Sequence, residues 1–211
     1  MYKKLVKRLL DLIISFVALI ILMPFILITA IIIKIDSPGP VFFKQKRVGL
    51  NKKHFNMLKF RTMRTDAPKD TPTHLLANPD QYISRFGRIA RKLSWDEIPQ
   101  IFHILSNSMS IIGPRPALWN QHDLIDERDK YGANDVKPGL TGWAQINGRD
   151  ELPIDVKARY DGEYVEKMSF MFDCKCFFGT ILAVVKRDGV VEGGTGSIKK
   201  SEETEKDVIH K

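Results

Sequence analysis

The sequence predicts a small mixed fold of strands and helices behind one membrane-associated helix. Three observations carry this. Residues 12–33, LIISFVALIILMPFILITAIII, contain no charged side chain. Two β-patterned runs, VFFKQKRV at 41–48 and HFNMLKF at 54–60, flank the turn-like GLNKK, as the strands of a hairpin do. Beyond residue 82, helical patterns alternate with Gly- and Pro-containing breaks. With 211 residues, 44% of them hydrophobic, the chain suffices for one domain with a real core.

The first element is the apolar run. At about 1.5 Å per residue a helix of this length spans a bilayer. It is too long for a cleaved signal peptide, and KIDSPGP after it is not a small-residue cleavage site. Lys3, Lys4, Lys7 and Arg8 precede it; Lys34, Lys44, Lys46, Arg47, Lys52 and Lys53 follow it. The positive-inside rule therefore assigns no orientation, and placing both ends on the cytoplasmic face removes the conflict. Pro24, in mid-run, deprives the Ile20 carbonyl of its helical donor and favours a kink. Two readings stand: a kinked helix that re-enters the same leaflet, and a spanning helix with a tolerated proline.

The turn SPGP at 37–40 is a natural boundary, separating a membrane segment (1–36) from a cytosolic domain (37–192). After the hairpin, residues 62–82 read as a long loop rich in Pro, Asp and Thr. Helices are expected at 83–92 and 99–106, with SIIGPRPAL as a break. NQHDLIDERDKYG reads as a polar surface helix ended by Gly132, and KPGLTGWAQINGR as loop. A helix is expected at about 154–168. CFFGTILAVVKRDG forms a second, strongly apolar one with Lys186 and Arg187 at its end, fit for the core or the bilayer surface. Residues 193–211 lack the composition to fold and read as a tail. There is no internal repeat.

A net charge of +8 and a pI near 9.4 point to anionic partners, anionic membrane lipids among them. Nucleic acid is a poor fit, because the cations are scattered among apolar strands and a membrane segment would be unexplained. Cys174 and Cys176, one residue apart, suit neither a usual disulfide loop nor a four-ligand zinc site; they read as reduced thiols on the cytosolic side.

RFGRIARKLSWDEIPQ brings Arg85, Arg88, Arg91 and Lys92 up to the adjacent acids Asp96 and Glu97. Ser94-x-x-Glu97 matches a capping box, and acids in a first turn suit the helix dipole. Pro99 complicates this: it lies either one turn inside that helix or at its first position, which would leave the acids exposed. The alternative is a reactive pair. Adjacent carboxylates amid cations are expected to stay ionised. An ionised Asp is a nucleophile toward phosphorus, and an ionised Glu a hard ligand for Mg²⁺, which binds one or two carboxylates plus substrate phosphates.

Other constellations admit a phosphate role beside a plainer one. Lys59 and Arg61 share a strand face at i, i+2 in LKFRTM, solvated or phosphate-binding. Arg115, held stiffly between prolines in GPRP, suits bidentate phosphate contact or a rigid surface turn. In GWAQINGR, Trp143, Gln145, Asn147 and Arg149 surround a nucleotide base or form a packed loop anchored by Trp143.

The ordered motifs PGPVFFKQKRVG, KFRTM, FGRIARKLSWDEIPQ, SIIGPRP, KPGLTGWAQINGR and FDCK, over residues 3–192, make the chain resemble the bacterial sugar transferases, the small monotopic phosphoglycosyl transferases. The resemblance implies an α+β fold with a re-entrant membrane helix and interfacial amphipathic helices, on the cytoplasmic face of the cell membrane. It implies transfer of sugar 1-phosphate from a UDP-sugar to undecaprenyl phosphate with release of UMP, initiating capsule, exopolysaccharide or other glycan assembly. It makes Asp96 the nucleophile of a covalent phosphosugar intermediate and Glu97 the Mg²⁺ ligand. Lys59, Arg88 and Arg115 fall to phosphates and Asp173 to a supporting role. A homo-oligomer and downstream glycosyltransferases are compatible partners. GPRPALWNQ resembles members that use a UDP-N-acetylamino sugar; UDP-galactose or UDP-glucose is the alternative. Two departures stand out: Met23, not a hydroxyl residue, precedes Pro24, and Trp95 replaces an aliphatic residue before Asp96. The rival is a non-catalytic, membrane-attached basic module binding acidic lipids, which has no need of the acid pair, GPRP and KFRTM together.

Overall fold

A computed structural model describes residues 2–68, 78–148 and 152–186. A π-helical turn, Tyr2–Val6, leads into α1, Lys7–Asp36, which stays helical through Pro24. Its most apolar 18-residue stretch is only 17% buried, which sets it apart from the core helix of a soluble protein. The face carrying Lys7, Asp11, Ser15, Ile26, Thr29 and Ile33 is buried. Ile13, Ile14, Phe16, Val17, Ile20, Ile21, Phe25, Leu27, Ile28 and Ile31 are exposed.

Both ends of α1 are bound to the rest of the chain. At the start, Arg8 donates to the carbonyls of Ile104 (2.6 Å) and Leu105 (3.1 Å), and Asp11 accepts from Ser110 Oγ (2.7 Å) and the Ile111 amide (3.1 Å). At the end, Asp36 accepts from the Phe86 amide (3.2 Å), and Ile26 and Ile33 pack on Phe60 with Phe86 and Ile98.

Strands β1 (Phe42–Val48) and β2 (His54–Phe60) form the expected antiparallel hairpin, with Phe43 opposite Lys59. Asn51 (φ 52°) and Lys52 (φ 59°) close its loop in the left-handed region. Helix α2 (Arg85–Lys92) is capped by Ser84 Oγ, which accepts from the Gly87 amide at 3.0 Å. Gly87 lets α2 press on the chain leaving β2: a Cβ there would lie 2.1 Å from the Thr62 carbonyl oxygen.

The acid segment departs from the expected cap. Ser94 is left-handed (φ 54°), a backbone in which its hydroxyl caps nothing; Trp95–Gln100 form a 3-10 turn containing Pro99. Helix α3, Ile101–Leu105, starts two residues after Pro99 and is shorter than the 99–106 expected.

A second sheet was not legible in the pattern. β3 (Ser110–Ile112) and β4 (Gly139–Thr141), three residues each and distant in sequence, pair in parallel inside stretches that read as a break and a loop. Helix α4 (His122–Asp129) lies on the surface but buries Leu124, Ile125 and Arg128. It is tied to α6 (Ile154–Lys167) by a buried pair, Arg128 Nη2 to Asp161 Oδ2 at 2.6 Å. The loop before α6 contains α5, Trp143–Ile146. Helix α7, Phe170–Lys186, starts well before the expected Cys176, because Ser169 supplies an acceptor for the Phe172 amide (3.3 Å). Phe170, Met171, Phe177, Phe178, Ile181 and Leu182 of α7 are exposed. The predicted tail, 193–211, and Arg187 lie outside the described residues.

Candidate active site

The packing of β2 against the 3-10 turn brings Lys59 to the acid pair. Its Nζ lies 2.8 Å from Glu97 Oε1 and 3.5 Å from Asp96 Oδ2. Arg115 approaches Glu97 from the other side with both terminal nitrogens, Nη2 to Oε1 at 2.6 Å and Nη1 to Oε2 at 3.4 Å. The GPRP turn is held there by the second sheet and the hairpin: the Gly139 amide donates to the Pro114 carbonyl (2.9 Å), and Arg47 to the Pro116 carbonyl (3.0 Å). Two cations from distant segments, Lys59 of the hairpin and Arg115 of the GPRP turn, thus converge on Glu97.

Both acids are buried, with side chains 12% (Asp96) and 11% (Glu97) exposed, and neither stands open at a helix mouth. For Asp96 this opposes the expectation of a readily ionised carboxylate. Burial pushes the Asp96 carboxyl up from its ordinary value; Lys59 opposes this, Glu97 adds to it, and Arg91 and Arg115 also oppose it. The Trp95 ring, by contrast, is exposed, as are Ile89 and Leu93 beside it in sequence.

Asp96 forms part of the wall of a groove of about 420 Å³. Lys44, Lys59, Arg61, Arg64 and Arg91 line it with Phe43. Asp96 is the one acid among its described lining residues, and cations outnumber it there, although Arg64 is paired with Asp66 at the groove's edge (2.7 Å). Such a site attracts phosphate oxygens and keeps them near Asp96.

The other predicted residues divide. Arg88 is exposed on α2, and Arg91, one turn on, is the cation of that helix that lines the groove. The run of cations fixed neither the helix phase nor which of them turns inward. Arg61 lies past the end of β2 and does not share the Lys59 role: its guanidinium donates to the carbonyls of Ser37 (2.6 Å) and Pro38 (2.7 Å), clamping the exit of α1. Gln145 lies in α5, which packs on α6 and α7; its Nε2 donates to the Leu140 carbonyl (3.3 Å). Trp143 anchors the same loop, packing at a tilt against Phe172 (4.9 Å between centroids) and donating to Glu163 (2.8 Å). Arg149 lies outside the described residues.

Asp173 is a structural tie. Its Oδ2 accepts from Lys7 (2.7 Å) and from the Tyr2 hydroxyl, and its Oδ1 lies 2.8 Å from the Tyr164 hydroxyl. Burial and the Asp173 charge push the Tyr164 hydroxyl far above its ordinary value, so it serves as a hydrogen-bonding group only. Burial likewise raises the Cys176 thiol to about 12, leaving it inert.

For a divalent ion, the fit rests on the acid pair. Among the described residues no group of three His, Cys, Asp or Glu side chains could hold a metal. Asp96 and Glu97 suit a cation that takes one or two carboxylates and completes its shell with substrate phosphates, the manner of Mg²⁺.

Residues 2–187 match the family described as bacterial sugar transferase. The chain is similar to the UDP-glucose:undecaprenyl-phosphate glucose-1-phosphate transferase of Xanthomonas campestris pv. campestris, 41% identical over 186 residues, covering 85% of this chain and 38% of that protein. It is 40% identical over 185 residues to the sugar transferase EpsL of Bacillus subtilis (strain 168), covering 87% of this chain and 89% of that one. A UDP-N-acetylgalactosamine-undecaprenyl-phosphate N-acetylgalactosaminephosphotransferase of Aeromonas hydrophila is 34% identical over 188 residues, 85% of this chain and 44% of that protein. The chain thus spans less than half the length of the first and third of these relatives.

Proposed function

Because the chain belongs to the bacterial sugar transferase family, we propose that it moves the sugar 1-phosphate of a UDP-sugar onto undecaprenyl phosphate and releases UMP, the first step of exopolysaccharide or capsule assembly. The observation that carries this is the convergence of Lys59 and Arg115 on Glu97 beside Asp96, at the wall of a cation-lined groove.

In the first step a carboxylate oxygen of Asp96 attacks the β-phosphorus of the donor. The bond between that phosphorus and the bridging oxygen breaks, and UMP leaves with the electron pair. In the second step a phosphate oxygen of the polyprenyl acceptor attacks the same phosphorus and displaces Asp96 as its carboxylate. Lys59, Arg64 and Arg91 hold the phosphate oxygens and offset charge that builds on them during transfer. Lys59 also keeps positive charge next to Asp96, which favours the ionised nucleophile against the cost of burial. Glu97, fixed in place by Lys59 and Arg115, would hold Mg²⁺ together with substrate phosphates. Bound there, the ion neutralises charge on the diphosphate. One carboxylate serves a water-soluble donor and a bilayer-bound acceptor in turn, because UMP vacates the groove between the steps.

The donor sugar follows two supports. GPRPALWNQ favours a UDP-N-acetylamino sugar, and the higher identity to a relative named for UDP-glucose favours glucose. A panel of UDP-sugars with undecaprenyl phosphate and Mg²⁺, read as UMP, is expected to give turnover with one of these. No UMP from any UDP-sugar would reject the enzyme reading and leave the lipid-binding module.

We also infer a monotopic placement on the cytoplasmic face. A spanning helix puts its ends on opposite sides of a hydrocarbon core about 30 Å thick. Here Arg8 and Asp36, at the two ends of α1, bind one body through Ile104 and Phe86. A helix that enters and returns by one leaflet satisfies both contacts. The exposed apolar faces of α1 and α7, with Trp95, would meet the lipid and hold Asp96 at head-group depth. Cysteine labelling of both ends in intact cells, with Cys174 and Cys176 replaced, is expected to find both protected from an impermeant reagent; ends on opposite sides would sink the placement.

A further inference from the structure

His103 lies on α3, away from the groove lining, yet its ring reaches the strand that carries Lys59. Its Nε2 accepts a hydrogen bond from the Leu58 amide at 2.9 Å. Leu58 directly precedes Lys59, and this N–H belongs to the edge of β2 away from β1, where no strand of the hairpin can accept it. The bond fixes the ring's protonation. Nε2 must carry a lone pair, so the proton sits on Nδ1, 3.2 Å from Ser108 Oγ. The Phe55 ring closes the other side at 5.3 Å between centroids. Five residues separate His103 from Glu97, so one side chain ties β2 and its lysine to the element that follows the acid pair.

Resting on the phosphoglycosyl transferase reading, we propose that neutral His103 is a positioning residue that holds Lys59 in register with Asp96 and Glu97. Protonation of Nε2 replaces the acceptor with a donor aimed at the Leu58 N–H, and the strand edge must then move or leave that N–H unpaired. The surroundings favour the neutral ring. Burial lowers the His103 pKa below its ordinary value. The ring forms no ion pair among the described residues. From α1, Arg8 reaches the adjacent Ile104 and Leu105 carbonyls; from β2, Lys59 is engaged with Glu97; beyond α3, Lys137 binds Asn107, and Ser106 and Ser108 are uncharged. None of these supplies a negative charge that would stabilise an imidazolium.

The test uses the full-length protein in liposomes with UDP-sugar and undecaprenyl phosphate. His103→Phe keeps a ring against Phe55 but has no acceptor; it is expected to lower kcat/KM about tenfold at neutral pH, as one unpaired buried N–H would (about 1.4 kcal/mol). His103→Gln, whose amide oxygen can take the place of Nε2, is expected to recover most of that loss. Combined with Lys59→Ala, His103→Phe is expected to have almost no further effect, because the interaction it supports is already gone. The ratio of wild-type to His103→Gln rates is expected to fall as pH drops from about 7.5 to about 5, since only the wild type loses its acceptor and any loss through Asp96 is common to both. Equal and independent losses in the double variant, or a ratio flat in pH, would overturn the proposal. The His103→Gln comparison decides even if His103→Phe does not fold. Absence of UMP release by the wild type would instead reject the parent reading.

Discussion

Asp96→Asn is expected to abolish UMP release from the donor, lowering kcat by at least about four orders of magnitude, as loss of a nucleophile does. The change is nearly isosteric, so the 3-10 turn and the packing of Lys59 and Arg115 around Glu97 should survive. An amide nitrogen or oxygen is a far poorer nucleophile toward phosphorus than a carboxylate, and among the described residues no other carboxylate lines the groove to replace it. Two measurements check this: UMP release, and intact mass after incubation with donor alone, which should reveal a phosphosugar adduct on the wild type only. Retained turnover would remove Asp96 as nucleophile. A pH dependence accompanies it. The reactive form is the carboxylate, and burial raises the Asp96 pKa. Activity is therefore present above that raised value and lost as pH falls through it, beginning at a higher pH than for an exposed aspartate.

Glu97→Gln is expected to lower kcat/KM by about two to three orders of magnitude, the scale seen when one preorganised electrostatic group is removed. Glu97 is where two cations meet, Lys59 at 2.8 Å and Arg115 at 2.6 Å. Without its charge these cations are drawn toward Asp96, the remaining carboxylate, and a paired Asp96 is a weaker nucleophile. The same substitution removes the proposed anionic ligand for Mg²⁺, so half-maximal rate should require a higher Mg²⁺ concentration. Titration of rate against Mg²⁺ separates the two effects. An unchanged Mg²⁺ dependence would leave Glu97 as an organiser of Lys59 and Arg115 alone. Arg115→Lys should behave as a weaker version of the organising defect, because a lysine cannot reproduce the two-nitrogen approach.

Much of the molecule was legible locally. The hairpin follows from two β-patterned runs around GLNKK, and α2 from its helical pattern at 83–92. The uncharged run specified one helix long and apolar enough to cross a membrane. The short parallel sheet was invisible because three-residue strands far apart in sequence have no periodicity to read. The start of α7 was misplaced because Phe170–Lys186 is apolar almost throughout and its cap is a single serine.

The site divides along the same line. Residue type and order marked Asp96, Glu97, Lys59 and Arg115 as candidates beside plainer readings as a capping box, a solvated strand face and a rigid surface turn, and the order of the motifs, through the family resemblance, favoured the chemical reading. Which cations meet the acids was decided by tertiary structure. Arg61 went to the exit of α1, Arg88 to solvent and Arg91 to the groove, since the end of β2 and the phase of α2 set where each side chain points. Asp173 and Lys7, 166 residues apart, became partners because burying either charge without the other is costly. Ser94 remained a plausible cap in sequence until its left-handed backbone excluded it. The sequence by itself determined which chemical groups are present and the local elements that carry them. Their protonation and their pairing depend on burial and on distances between remote segments, and those exist only once the chain has packed.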